Sequence, residues 1–247
     1  MKIHFAILLI AFAFAGKMFA ANFTDDFSLA NKLYAEGKFP DAANLYEKII
    51  ASGQISPNLL FNYGNAEFKA GNLGKAIAAF RRAELLAPRD SDIRANLDFA
   101  RKQVQGSTIH ESWWRAWLGQ LTLNEWAILA AIALWLTFIL LAAKQIRPAL
   151  APKFRGVISM LILLTILFVA ATGLEAAERF SNQSAVVISN DAVARSGPFD
   201  DAQKAFAVHD GAELSVLGRH GDWVQIANNS GNIGWLATKQ VEILPGA

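Results

Sequence analysis

Cysteine is absent from the 247 residues, which excludes a disulfide scaffold, a thiolate zinc site, an iron–sulfur cluster and a cysteine nucleophile. Charge is scarce: Asp, Glu, Lys and Arg make up 18% of the chain, where soluble domains run near ~25%. Histidine occurs four times, too thinly spread for a zinc site of three or four converging ligands. No HExxH, GxSxG, GxxxxGK[ST] or GxGxxG motif is present, so the sequence offers no metalloprotease, nucleophile-elbow or phosphate-cradling signature. Apolar residues fill the space, at 53% of the chain. Their concentration into runs excludes a disordered chain and argues against a wholly soluble one.

The pI near 8.9 has a local origin. Residues 24–105 hold 11 basic and 10 acidic side chains, and residues 181–247 hold 4 and 7. The short stretch 144–155 holds Lys144, Arg147, Lys153 and Arg155 with no acid. A nucleic-acid partner would need that charge spread over a folded face, so nucleic acid is excluded as a partner.

Met1-Lys2-Ile3-His4 followed by the apolar run Phe5–Ala15 and further small residues predicts a secretory signal peptide over residues 1–20. Ala15, Ala20 and Ala21 are all compatible with the cleavage site, and an uncleaved N-terminal anchor is the alternative, disfavoured because the apolar run is short for a span. Trp126–Ala143 and Val157–Leu174 are each 18 residues without a charge, long enough for about 27 Å of helix against a hydrocarbon core of about 30 Å. They predict a transmembrane hairpin with spans at 126–143 and 156–175, joined by a basic loop at 144–155. Positive charge between spans places that loop in the cytoplasm, and both flanking regions in the periplasm. Trp113, Trp114, Trp117 and Trp126 mark residues 106–125 as an interfacial segment, because indole favours the headgroup region.

Before the hairpin the chain repeats at 34 residues: Gly37 and Gly71, Ala42 and Ala76, Tyr46 and Phe80. Tyr63, Gly64, Leu86 and Pro88 strengthen the second copy. The pattern resembles the tetratricopeptide repeat, two helices per unit with small residues where they cross. Residues 22–105 then form an α-helical repeat domain, with Ile93, Leu97, Ala100 and Val104 on a capping helix. By this resemblance the concave face carries Asn31, Tyr34, Asn62, Asn65, Phe68, Lys69 and Asn96, and the family binds extended peptides there. A carboxamide both donates and accepts, which suits capture of peptide backbone. Phe27 and Asp92 stand where carboxylate-clamping members have basic residues, which weighs against capture of a C-terminus.

After the hairpin, Val186–Ile188, Glu213–Leu217, Trp223–Ile226 and Ile233–Leu236 read as short strands separated by glycine-containing turns. Five or six strands over residues 183–247 predict a small all-β barrel. The order Arg195-Ser-Gly-Pro, His209-Asp-Gly, Gly221-Asp-Trp, Gly234-Trp-Leu resembles a bacterial SH3 domain. That resemblance implies a groove of Phe199, Trp223 and Trp235, with core packing expected of at least one tryptophan. His209 and His220 fall at turns, and the pairs Asp25-Asp26 and Asp200-Asp201 read as a helix start and a solvated loop. No catalytic residue, metal site or cofactor is expected.

The order of parts, with Asn96-Leu97-Asp98-Phe99-Ala100-Arg101 on the cap, resembles the BatE-type proteins of the aerotolerance (Bat) operons. The resemblance implies a bacterial inner-membrane complex with von Willebrand A-type membrane proteins and a MoxR-type ATPase. A non-enzymatic scaffold is the reading this favours. The alternative is an envelope sensor whose SH3 part binds peptidoglycan peptides.

Overall fold

Short amphipathic helices cannot bury their apolar stripes singly, so the repeat region stacks them. The computed structural model describes residues 25–104, 113–147, 151–181, 183–190 and 192–244. The expected signal peptide, His110 and Pro148 lie outside the described residues. Helix α1 covers residues 25–35, followed by α2 (Phe39–Ala51), α3 (Pro57–Ala70), α4 (Leu73–Leu86) and α5 (Ser91–Arg101). The boundaries follow local chemistry. Ser56 accepts from the Leu59 N–H at 3.2 Å with Pro57 in the first turn of α3. Asp90 accepts from the N–H groups of Asp92 and Ile93 at the start of α5. Such caps satisfy amides that the helix leaves without partners. Gly37 and Gly71 sit at φ +76 and +88, the left-handed turn that stops a helix and that a Cβ opposes.

Small residues at the crossings bring the stacked helices close. Ala42 and Ala76 are fully buried, and Tyr46 and Phe80 fill the space beside them. A Cβ on Gly64 would come within 2.6 Å of the Phe80 ring, so glycine sets the spacing of α3 and α4. Ile93, Leu97 and Ala100 of α5 are buried against the second unit, as a capping helix requires.

The hairpin consists of α6 (Trp113–Leu118), α7 (Leu123–Ile146) and α8 (Ala151–Ser181). Both long helices extend beyond the uncharged runs, because helix continues through the polar flanks. Both are long and apolar enough to cross a membrane. Thr122 and Glu125 form a reciprocal capping box at the start of α7, tying its orphan amides to a fixed entry angle. The helices are antiparallel neighbours: Trp126 lies 6.2 Å from Phe168, and Leu141 and Lys144 face Arg155 and Ile158 at the other end. One expectation is corrected here. Trp126 is 5% exposed; its indole N–H donates to the Leu118 carbonyl at 3.0 Å and its ring meets Trp117 and Phe168. It pins α6 onto the hairpin instead of reaching for headgroups, whereas Trp117 is exposed.

The C-terminal region is one antiparallel sheet of seven strands, more than the five or six expected: β1 (Ser184–Val187), β2 (Ala192–Arg195), β3 (Lys204–Val208), β4 (Glu213–His220), β5 (Trp223–Ala227), β6 (Ile233–Ala237) and β7 (Val241–Leu244). Their order is β3-β2-β6-β5-β4-β1-β7. Strands β2 and β3 were not legible because each carries two alanines where a strand signal needs branched or aromatic residues; β7, Val-Glu-Ile-Leu, was not anticipated although its residues suit a strand. Val187, Leu214, Val224, Ile226 and Leu236 form the core of the sheet.

The chain leaves the repeats, runs out and back along the hairpin, and returns to the same place. Val186 and Leu244 join Ala76, Ile77, Phe80, Leu97 and Ala100 in one apolar cluster. Both modules therefore lie at one end of the hairpin, with its basic tip at the other.

Candidate functional site

Helices α1, α3 and α5 present the face that the repeat pattern assigns to a ligand. Asn31 of α1 and Asn62 of α3 are brought together: the Asn62 carboxamide donates to the Asn31 side-chain oxygen at 3.0 Å. Tyr46 donates its hydroxyl to the same oxygen at 2.6 Å, and burial pushes that hydroxyl's pKa up to about 12. The Asn31 amide group thus has its acceptor side turned inward, leaving its N–H pair for a ligand. Asn96 donates to the Asp92 carbonyl at 2.8 Å, so its oxygen is the freer end. Tyr34 stacks edge-on against Phe39 at 5.2 Å and serves its own unit as much as the groove. Asn65 is half-buried and Lys69 exposed.

One residue of this face escaped the sequence reading. Phe99 of α5 is 56% exposed and packs 5.6 Å from Phe68, making an apolar step beside the asparagines. The signal was available: Asn31-x-x-Tyr34, Asn65-x-x-Phe68 and Asn96-x-x-Phe99 share one spacing, which puts each pair on one face of its helix. Phe27 packs on Tyr46 at 5.9 Å, so its position serves the fold and supplies no cation.

The sheet docks on α4 and α5, away from that face. Its anchors are polar as well as apolar. Glu213 on β4 is 5% exposed and receives Arg101 on both carboxylate oxygens at 3.0–3.3 Å, with Arg81 at 3.8 Å. Arg82 meets Glu242 at 3.2 Å. The Asn72 side chain makes no capping bond at the start of α4; Asp210, from the sheet, accepts the Gly74 N–H there at 3.1 Å. Burial raises the Asp210 carboxyl above its usual range, against the pull of the Gly74, Leu73 and Gly211 amides. Gly74 and Gly211 make the approach possible: a Cβ on Gly74 would overlap the Val187 carbonyl oxygen, and one on Gly211 would press on Val104 and Ile77.

On the sheet, Trp223 opposes Ala237 and Trp235 opposes Gln225, so the two indoles are diagonal neighbours on one face. Val224, Ile226 and Leu236 point to the other, buried face. Neither tryptophan is a core residue, which corrects the expectation for at least one of them. His220 pairs with Trp223 on the tryptophan face. Phe199 sits in the loop between β2 and β3, also exposed, with its ring against Gly197. Among the described residues, no group of three or more His, Asp or Glu side chains converges to hold a metal ion.

Residues 27–92 match the tetratricopeptide repeat family, covering the stack from α1 to the first turn of α5. That region is similar to tetratricopeptide repeats, a family that typically binds other proteins without catalysis. No curated protein matches the chain.

Proposed function

We propose that this protein is a membrane-tethered, non-enzymatic scaffold whose α1–α3–α5 face holds a segment of a partner protein. The observation that carries it is the docking of the sheet on α4 and α5, which leaves Asn31, Lys69 and Phe99 exposed and Asn62, Asn65, Phe68 and Asn96 half-buried. An exposed apolar step flanked by carboxamides suits an extended backbone with one apolar side chain seated between them. Tethering makes weak contacts sufficient, because confinement raises the effective concentration to about the mM range.

The outward surfaces of α7 and α8 are apolar, with Ile132, Trp135, Phe138, Leu163, Ile166 and Val169 all exposed. Water would oppose such a surface and lipid would not, which supports a hairpin that spans the bilayer. Lys144, Arg147, Lys153 and Arg155 at its tip then face the cytoplasm and both modules the periplasm of an inner membrane. The resemblance to BatE-type proteins makes von Willebrand A-type membrane proteins and a MoxR-type ATPase the first partners to seek.

The test is co-purification from membranes in mild detergent, comparing the parent chain with Asn65→Ala/Phe99→Ser. Both side chains reach the surface, so the fold is spared. Loss of a partner retained by the parent supports the groove; unchanged recovery rejects it as the docking site.

A second reading rests on the paired Trp223 and Trp235 of the SH3-like sheet: an envelope sensor that stacks peptidoglycan peptides on the indoles. Full-length protein retained on purified sacculi, and released by Trp235→Ala, would favour it over the scaffold.

A further inference from the structure

Between Glu125 and Glu175 there is no acidic residue. Lys144 and Arg155 are 19 and 20 residues from those glutamates, about 30 Å along a helix, well beyond the ~8 Å screening length of physiological salt. The cations at the hairpin tip thus have no carboxylate of their own hairpin within reach. They border a cavity of about 380 Å³ between the ends of α7 and α8, lined by Leu141, Lys144, Pro152, Arg155, Ile158 and Ser159. At ~30 Å³ per water molecule, that space would take about a dozen waters, enough for a phosphodiester and the glycerol attached to it. The Ser159 hydroxyl donates back to the Arg155 carbonyl at 3.0 Å, so recognition falls to the two cations. Leu141 and Ile158 offer an apolar wall on the side from which an acyl chain would enter.

We propose that this cavity binds the phosphate of an anionic phospholipid, with Lys144 and Arg155 on the headgroup and Leu141 and Ile158 on the first methylenes. A basic pocket between spans at headgroup depth is where such a lipid is expected. The site rests on the membrane reading of the hairpin. Filling it fixes the tip and the depth of the hairpin, and with them the height of both modules over the opposite surface.

Native mass spectrometry of the full chain, released from non-ionic detergent with equimolar phosphatidylglycerol and phosphatidylcholine, tests it. The parent should retain the anionic lipid about tenfold over the zwitterionic one. Lys144→Gln/Arg155→Gln should bring the two to near parity. Ser159→Leu keeps every charge but fills the cavity, and should also abolish the preference. A preference that survives in Ser159→Leu would show that loop charge alone attracts lipid and overturn the cavity. Displacement of the lipid by millimolar inorganic phosphate would assign the site to a soluble phosphate and overturn the lipid assignment. Alkaline carbonate extraction separates the two levels: release of the protein rejects the membrane reading, whereas a retained protein without headgroup preference rejects only this site.

Discussion

Arg101 at the end of α5 forks onto both carboxylate oxygens of Glu213 on β4, 112 residues later in the chain. Arg81 approaches the same carboxylate from α4. The three charges join helices formed before the hairpin to a strand formed after it, and their burial makes the join sensitive to loss of any member.

Neutralising the carboxylate takes the shared buried anion from Arg101 and Arg81, leaving Arg81 its pair with Glu84 at 3.0 Å and Arg101 only the longer one with Asp98 at 3.9 Å. Breaking a buried pair from one side costs about 3–5 kcal/mol, so Glu213→Gln should destabilise the chain by about 3 kcal/mol in urea unfolding followed by circular dichroism. Arg82→Ala disrupts the more exposed pair with Glu242 and should cost about 1 kcal/mol or less. Equal losses for the two variants would show that burial of the Glu213 cluster is not what matters.

Gly74 tests the closeness of the docking without touching charge. Gly74→Ala should push Val187 and Asp210 away, at a cost of about 1–3 kcal/mol as overpacking. Because the chain has no cysteine, cysteines placed at Arg82 and Glu242 report the contact directly. A short bis-maleimide should cross-link them readily in the parent background and poorly with Gly74→Ala; a bifunctional reagent is used because the contact is made by the tips of two long side chains and a disulfide requires closer Cα atoms. Gly173→Ala, with open space around it, should leave the yield unchanged.

The pH response follows from Glu242. Burial raises its pKa above the ordinary carboxylate value, and the nearby Arg82 only partly opposes that. A raised acid stabilises the fold fully below its unfolded pKa, and that contribution is lost as pH rises through the folded value. Glu242→Gln mimics the protonated form, so its melting temperature should equal the parent's near about pH 4 and exceed it near about pH 7. A gap that is constant with pH would remove Glu242 from the account.

Tyr46→Phe deletes one hydroxyl that reaches Asn31 from the buried side. The expected loss is about 1 kcal/mol, typical of a net hydrogen bond. The amide of Asn31 would then be held by Asn62 alone, and partner retention by the groove should weaken in the same co-purification. Loss of stability with unchanged partner retention would confine Tyr46 to a structural role.

Much of this architecture was legible in advance, and unevenly so. Gly37, Ala42, Gly71 and Ala76 expose the repeat because helix crossings and left-handed stops demand small residues at fixed spacing. The groove residues were named from that period, yet Phe99 was missed: whether an aromatic on α5 is buried or bare depends on what packs beside it. Trp126 was misjudged for a similar reason, since an indole beside a span can face headgroups or a neighbouring helix. Strands β2 and β3 alternate alanine with larger residues and did not announce themselves, whereas β7, Val-Glu-Ile-Leu, went unread although it carries branched residues.

The amino-acid order by itself determined the repeat, the two apolar spans, the turn glycines of the sheet and the absence of thiol chemistry, because each depends on near neighbours or on composition. Only the tertiary structure decided that the sheet docks on α4 and α5, that Asp210 caps a helix 136 residues away, and that Glu213 sits between two arginines. Those contacts join segments on either side of the hairpin. No local pattern encodes them, because their stability comes from surfaces that exist only once both modules are folded.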